Sequence, residues 1–320
     1  MKAPPLLVSF DSLDSYLASL EPELREAYGQ EITSLYEAGL PPVVSTRCLA
    51  ALFGYSTKFV NAMVSQSWKY YRHFSIRRGK KKRAIDAPRV SIKVVHKWLA
   101  THLSSVLEFD GHVYGYVQGR SSFDAAAQHS NARWVYSVDI QNFFPSTTEE
   151  VVRDSLATIG YSEKACDILS KLTCLKGRMP QGAPSSPLLS NLAMRGVDLQ
   201  LRQLATDHQV RLSRYADDIV FSGTGDFPET LKQQVAQVFV PTCWKLSGSK
   251  EYYAELPNRL KIHGLLVHND APRLTKGYRN KLRAYKHMLD TGKVQESDIA
   301  RIKGHLKYAD FVTDRRGGNQ

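Results

Sequence analysis

The chain has 320 residues, 42% of them hydrophobic, which is enough for two or three subdomains around a good core. A formal net charge of +12 and an isoelectric point near 9.4 are high for an enzyme of small metabolites and point to a polyanionic partner, with a membrane surface as the competing one. No run of about 18 apolar residues occurs, and residues 1–10 are too short for a signal peptide and lead into acidic residues, so no membrane span and a cytoplasmic protein are expected.

Cys48, Cys166, Cys174 and Cys243 show neither CxxC spacing nor a histidine set for zinc, and read as buried thiols of a reducing compartment. Leu13, Leu17, Leu20 and Leu24 recur at helical spacing until Pro41-Pro42 ends that section. Residues 45–63 then read as helix, turn at Gly54 and second helix, the outline of a helix-turn-helix. The second helix carries few base-reading side chains, which favours two packing helices over sequence-specific DNA binding.

Residues 69–83 contain no acidic side chain and alternate aromatics with Lys and Arg, and residues 77–83 look like a hairpin with Gly79 near its tip. Such a run is ordinarily a solvated loop, but interleaved aromatics also suit a phosphate clamp. Ala84-Ile85-Asp86-Ala87-Pro88 continues as a strand and would hold Arg83 on an ordered element. A helix over about residues 90–107 is expected to bury Val94, Val95, Trp98, Leu99, His102 and Val106, with His96 and His102 as packing or surface groups. The glycines of residues 115–122 match neither GxGxxG nor GxxxxGK[ST], which excludes both phosphate-loop motifs.

Residues 134–140 read as a buried strand with Asp139 near its end, followed by a wall of Phe143, Phe144 and Pro145. A carboxylate in an apolar strand is costly unless it is paired or binds metal. Further on, two short strands flank Tyr215-Ala216-Asp217-Asp218. Alone, that acidic pair reads as an ordinary Asp-rich turn. Together with Asp139 it supplies three carboxylates, of which Asp139 and Asp217 can share one pole of a sheet and hold two Mg²⁺ ions about 4 Å apart.

Between these acids lies Met179-Pro180-Gln181-Gly182-Ala183-Pro184-Ser185-Ser186-Pro187. Here the chain resembles the reverse transcriptases, and more narrowly the bacterial retron type. The match comprises Asp139 with Phe143-Phe144, the Pro-Gln-Gly-Ala-Pro-x-Ser-Pro loop, Tyr215-Ala216-Asp217-Asp218, and Gly264 in a late strand, in the family's order over roughly residues 83–267. The set is specific, whereas each part alone is weak.

The resemblance implies an α+β right-hand polymerase fold with an N-terminal helical extension (1–65), fingers and palm (66–267) and a helical thumb (268–320). It implies that Asp139, Asp217 and Asp218 form the metal triad, with Asp218 less directly engaged. Phe144 would be the steric gate against a 2′-hydroxyl, Gln181 would touch the incoming nucleotide, and Gly182 would allow close backbone approach. Arg83 would hold the triphosphate. Lys250 is similar in position to the lysine that protonates pyrophosphate, and reads equally as a surface lysine. Gly264 would admit the primer backbone, and Arg279 and Arg283, in a basic helical stretch over residues 273–307, would follow the template-primer duplex unless they only solvate a helix face.

The Ser186-Pro187 ending suits retron and group II intron enzymes, and an end at Gln320 suits the shorter retron type. The retron Asn-Ala-x-x-His is similar to Ala125-Ala126-Ala127-Gln128-His129, with Ala125 replacing the asparagine, and Val-Thr-Gly appears as Ile262-His263-Gly264. The implied function is RNA-directed synthesis of a branched, RNA-linked single-stranded DNA from a structured non-coding RNA and dNTPs. Mg²⁺ would serve as cofactor, with Mn²⁺ as a substitute, and an effector protein would be the partner in anti-phage defence. The alternatives are another bacterial reverse transcriptase, intron-derived or of abortive-infection type, and a non-catalytic RNA-binding scaffold.

Overall fold

The computed structural model describes residues 2–79 and 81–317; Lys80 of the basic run and Gln320 lie outside them. Four helices come first: α1 (Leu13–Ser19), α2 (Pro22–Glu37), α3 (Thr46–Phe53) and α4 (Thr57–Ser65). Ser12 and Ser45 cap α1 and α3, and Gly54 ends α3 in the left-handed region. The leucine period of residues 13–24 is thus split between α1 and α2 around Leu20 and Glu21. Cys48, Leu49, Leu52, Val60 and Met63 of α3 and α4 are buried, as two packing helices require.

Strands β1 (Tyr71–Arg78) and β2 (Lys81–Pro88) form the expected basic hairpin, with Ile76 opposite Arg83. The following helix α5 (Val90–Val106) turns a different face inward from the one expected. Ile92, His96 and Leu103 are buried with Val95, Trp98 and Leu99, whereas Val106 is 37% exposed. The reason is polar: His96 lies 2.8 Å from the Tyr71 hydroxyl and 2.6 Å from Ser185 Oγ, so it is a satisfied core group.

Next come α6 (Ser122–Ala127), β3 (Trp134–Asp139), α7 (Phe143–Ser146), α8 (Glu149–Ala157), α9 (Glu163–Thr173), α10 (Ser186–Asp207), β4 (Arg211–Tyr215) and β5 (Asp218–Gly223). Then follow α11 (Leu231–Phe239) and β6 (Tyr252–Glu255). Helix α11 begins three residues after Pro228. The central sheet has the order β4-β5-β3-β6, all antiparallel.

Both faces of this sheet are covered, which is why β3 is almost continuously apolar. Trp134, Tyr136 and Val138 pack with α10 and α11, while Val135 packs with α6 and the C-terminal segment. A further core joins α1–α4 to α5, α9 and the start of α10. The last part holds a small sheet of β7 (Lys261–Ile262), β8 (Leu265–Leu266) and β9 (Arg273–Leu274), then helices α12 (Lys276–Asp290) and α13 (Glu296–Gly317). Gly264 lies in the turn between β7 and β8 at φ +86°, and not within a strand. No described helix is long and apolar enough to cross a membrane.

Candidate active site

The β4–β5 hairpin turns through Ala216, at φ +60°, and Asp217, so that Asp218 is already the first residue of β5. Antiparallel register sets Asp139, the last residue of β3, opposite Asp218. The Ile140 amide donates to the Asp217 carbonyl at 3.0 Å, which holds the turn beside the end of β3. All three acids therefore meet at one pole of the sheet. Burial, then the Asp139 charge, pushes the Asp217 carboxyl above the ordinary carboxylate range.

Two basic side chains already face these acids. The Lys250 ammonium contacts Asp139, and Lys250 is brought there because residues 245–247 run beside β3, with the Ser247 amide donating to the Asp139 carbonyl at 2.8 Å. His263 Nδ1 is 3.2 Å from Asp218 Oδ2, and its ring lies 5.2 Å from that of Tyr215. Among the described residues, no three His, Cys, Asp or Glu side chains close into a metal cage. The donor set still fits hard divalent cations: Mg²⁺ takes a few carboxylate oxygens and completes its shell with water and phosphate.

Under the hairpin lies a polar network that the sequence reading did not single out. Arg214 is wholly buried, and its Nε and Nη2 donate to the Asp198 carboxylate at 2.6 Å each. Its Nη1 donates to Asn191 Oδ1 at 3.0 Å and to the Ala216 carbonyl at 3.2 Å, directly behind the acidic turn. Asn191 Nδ2 in turn donates to the Gly115 carbonyl at 2.8 Å. Burial works to raise Asp198, but the Arg214 guanidinium and the neighbouring His112 together outweigh it and hold the carboxyl below the usual range. Strand parity with Leu212 was the available clue, since an inward Arg demands an anion.

His129 is a second hidden support. Its ring nitrogens each lie 2.7 Å from a serine hydroxyl, Ser213 on β4 and Ser222 on β5, so it ties the two arms of the hairpin. Burial drives its pKa down to about 3, which keeps it neutral.

The expected nucleotide residues lie on the basic hairpin, the glutamine loop and α7. The Asp86 amide of β2 donates to the Gln181 carbonyl at 2.9 Å, joining the glutamine loop to the basic hairpin. Gly182 sits at φ +128°, where a Cβ would come within 2.9 Å of Ile85 Cγ2. Phe143 is buried, whereas Phe144 is half-buried and faces Tyr116 with ring centroids 6.1 Å apart. Tyr116, 44% exposed at φ +64°, feels the charges of both Asp217 and Arg83, so it stands between the acids and the basic hairpin. Its loop is pressed against the acidic turn so closely that a Cβ on Gly115 would lie 2.2 Å from the Ala216 amide. Arg279 and Arg283 are exposed on α12.

A model of the family described as reverse transcriptase (RNA-dependent DNA polymerase) matches residues 76–242, more than half of the chain. The chain belongs to the reverse transcriptases. The matched span runs from the basic hairpin through the glutamine loop to α11 and contains all three acids. This reverse transcriptase is 24% identical to the Retron Ec86 reverse transcriptase of Escherichia coli, over 86% of each chain. It is 27% identical to the Retron Se72 reverse transcriptase of Salmonella heidelberg over 76% of this chain and 66% of that one. It is also 27% identical to the Retron Mx162 reverse transcriptase of Myxococcus xanthus, over 87% of this chain and 66% of the relative. As an RNA-dependent DNA polymerase, the chain takes RNA as its template.

Proposed function

We propose that this reverse transcriptase is a retron polymerase that copies a structured non-coding RNA into a branched, RNA-linked single-stranded DNA, begun from the 2′-hydroxyl of an internal guanosine. The observation that carries the catalytic reading is the meeting of Asp139, Asp217 and Asp218 at one end of the sheet. The subtype is supported by the similarity to retron enzymes along most of the chain and by the placement of His129 behind the catalytic hairpin.

Asp139 and Asp217, with Asp218 beside them, would hold two Mg²⁺ ions, for which Mn²⁺ can substitute. Bound there, the ions lower the pKa of the attacking hydroxyl and offset the charge of the triphosphate. Arg83 on the hairpin binds the triphosphate, and Gln181 and Gly182 seat the incoming nucleotide. Phe144 excludes a 2′-hydroxyl by clash. As the hydroxyl oxygen bonds to the α-phosphorus and pyrophosphate leaves, Lys250 is positioned to supply charge or a proton to the leaving group. Gly264 admits the primer backbone, and Arg279 and Arg283 follow the duplex. In this reading residues 66–267 are fingers and palm, 268–320 the thumb, and 1–65 a helical extension. An effector protein in anti-phage defence completes the assignment.

The test is to sequence the nucleic acid that copurifies with the protein, then supply that RNA with dNTPs and Mg²⁺. We expect cDNA joined to RNA through a debranching-sensitive bond, and at least about a thousandfold less of it from Asp217→Asn. Equal yield from that variant would remove the metal-site assignment. A product insensitive to debranching would remove the retron assignment alone.

A further inference from the structure

Helix α7 carries Phe144 yet is a single turn, and a helix of that length has no stability of its own. It opens on Asn142 in the left-handed region, at φ +50°, so the position of Phe144 is decided by what holds the ends of the turn. The C-terminal end is held by Thr147, which is wholly buried. Its amide is shared between the carbonyls of Phe143 and Phe144, at 3.1 Å each, and its hydroxyl donates a further bond to the Phe143 carbonyl at 2.9 Å. The same hydroxyl accepts from Trp244 Nε1 at 3.0 Å. Trp244 is itself buried, with its ring 6.3 Å from that of Phe143.

Thr147 also joins two strips of backbone that lead to other residues of the reaction. On one side its carbonyl accepts from the Met179 amide at 2.9 Å, two residues before Gln181, and the Glu149 amide donates to the Gly177 carbonyl at 2.9 Å. The approach to the glutamine loop therefore runs antiparallel beside residues 147–149. On the other side, the Gln141 amide donates to the carbonyl of Lys245, the residue after Trp244, at 2.8 Å, and Ile140 bridges to Leu246. That strip continues to Lys250. Valine has the shape of threonine and would fill the same space with no polar atom, but here the hydroxyl is used both as donor and as acceptor.

We propose that Thr147 is a positioning residue for sugar discrimination: its hydroxyl clamps the one-turn helix to Trp244 and so keeps the Phe144 ring where a 2′-hydroxyl would strike it. This inference rests on the reading of Phe144 as the gate. Apolar packing of Phe143 on Trp244 is non-directional, whereas the bond from the indole to the threonine hydroxyl fixes the tilt of the turn. Loss of the hydroxyl leaves the backbone bond from Met179 in place, so the seat of the incoming nucleotide survives while the gate loosens. The consequence is a gain of ribonucleotide use rather than a loss of deoxynucleotide use.

The experiment follows single-nucleotide extension of a DNA primer on an RNA template by the full chain in Mg²⁺, with a dNTP or the matching rNTP, and records the denaturant midpoint of each variant alongside. In Thr147→Val the ratio of kcat/KM for dNTP over rNTP should fall about fivefold to tenfold, through a rise in the rNTP value while the dNTP value stays within about twofold of wild type. Thr147→Ser keeps the hydroxyl and holds the ratio at the wild-type value. Trp244→Phe removes the indole donor and lowers the ratio in the same direction, which carries the test if Thr147→Val does not fold. Adding Thr147→Val to Phe144→Ala lowers the ratio no further than Phe144→Ala does, because Thr147 acts through that ring. An unchanged ratio in Thr147→Val and Trp244→Phe overturns the proposal, and a lowered ratio in Phe144→Ala then leaves the gate itself standing. Equal losses with both nucleotides and a lowered midpoint would make Thr147 a core residue only and overturn it too. If Phe144→Ala discriminates as wild type does, the gate reading falls, and a ratio lowered by Thr147→Val would then show that the hydroxyl acts on another group, which also overturns the proposal.

Discussion

Phe144 carries the sugar selectivity in our reading, and its surroundings say how well it can do so. Its ring is braced on one side by buried Phe143, at 5.5 Å between centroids, and faces Tyr116 on the other. A side chain held in this way cannot swing aside for a 2′-hydroxyl, so Phe144→Ala should raise ribonucleotide incorporation about 10- to 200-fold relative to deoxynucleotide, read from competing single-nucleotide extensions. Unchanged discrimination would move the gate to Tyr116. His129 makes a different prediction, about pH. Burial holds its folded pKa near 3, far below an unfolded histidine at about 6.5. The neutral ring therefore contributes stability that is complete above about pH 6.5 and is lost as pH falls toward 3, because the unfolded chain takes up the proton first. His96, also lowered to about 3 by burial, adds to the same limb. Urea midpoints measured between pH 7 and 4.5 should fall steeply for wild type and less steeply for His129→Gln, by up to one proton's worth of slope.

At the scale of elements, the basic hairpin and the glutamine loop act as one unit because the loop backbone lies against β2. Gly182 is what permits this: a Cβ there would meet Ile85 Cγ2 at 2.9 Å and the Asp86 carbonyl oxygen at 3.2 Å, in a conformation that L side chains rarely adopt. Gly182→Ala should lift the loop from the hairpin, raising the KM for dNTP about tenfold with a smaller change in kcat; a kcat loss alone would show that the loop does not position the nucleotide. The paired elements here were legible in the chain. Strand alternation and the Gly79 turn marked the hairpin, and an isolated Asp at the end of an apolar strand marked Asp139. The inward face of α5 was not legible, because His96 is buried by two hydroxyls from Tyr71 and Ser185, which are distant in sequence. Nor was Gly264 as a turn residue, since strands as short as β7 and β8 leave no periodicity to read.

For the molecule as a whole, the acidic turn depends on a charge pair buried beneath it. Arg214 reaches Asp198 on α10, Asn191 two turns earlier on the same face of that helix, and the Ala216 carbonyl, and Asn191 passes the connection on to Gly115 and the Tyr116 loop. Strand parity could mark Arg214 as inward, but no local pattern names its partners, since they come from a helix and a loop that only the fold brings to the strand. Removing one partner leaves the other charge buried without compensation, so Asp198→Asn should lower the unfolding free energy by about 3–5 kcal/mol, read from denaturant midpoints. Replacing both partners by apolar groups of similar size, as in Asp198→Leu/Arg214→Met, should recover much of that stability, because a buried ion pair gains little over good apolar packing. Activity should not recover with it. The double variant still lacks the donor to the Ala216 carbonyl, so Asp217 is held less firmly against Asp139, and kcat should remain about tenfold or more below wild type at saturating dNTP. Recovery of kcat together with stability would mean that the network only fills the core, whereas a stable protein with slow chemistry would show that it aims the carboxylates.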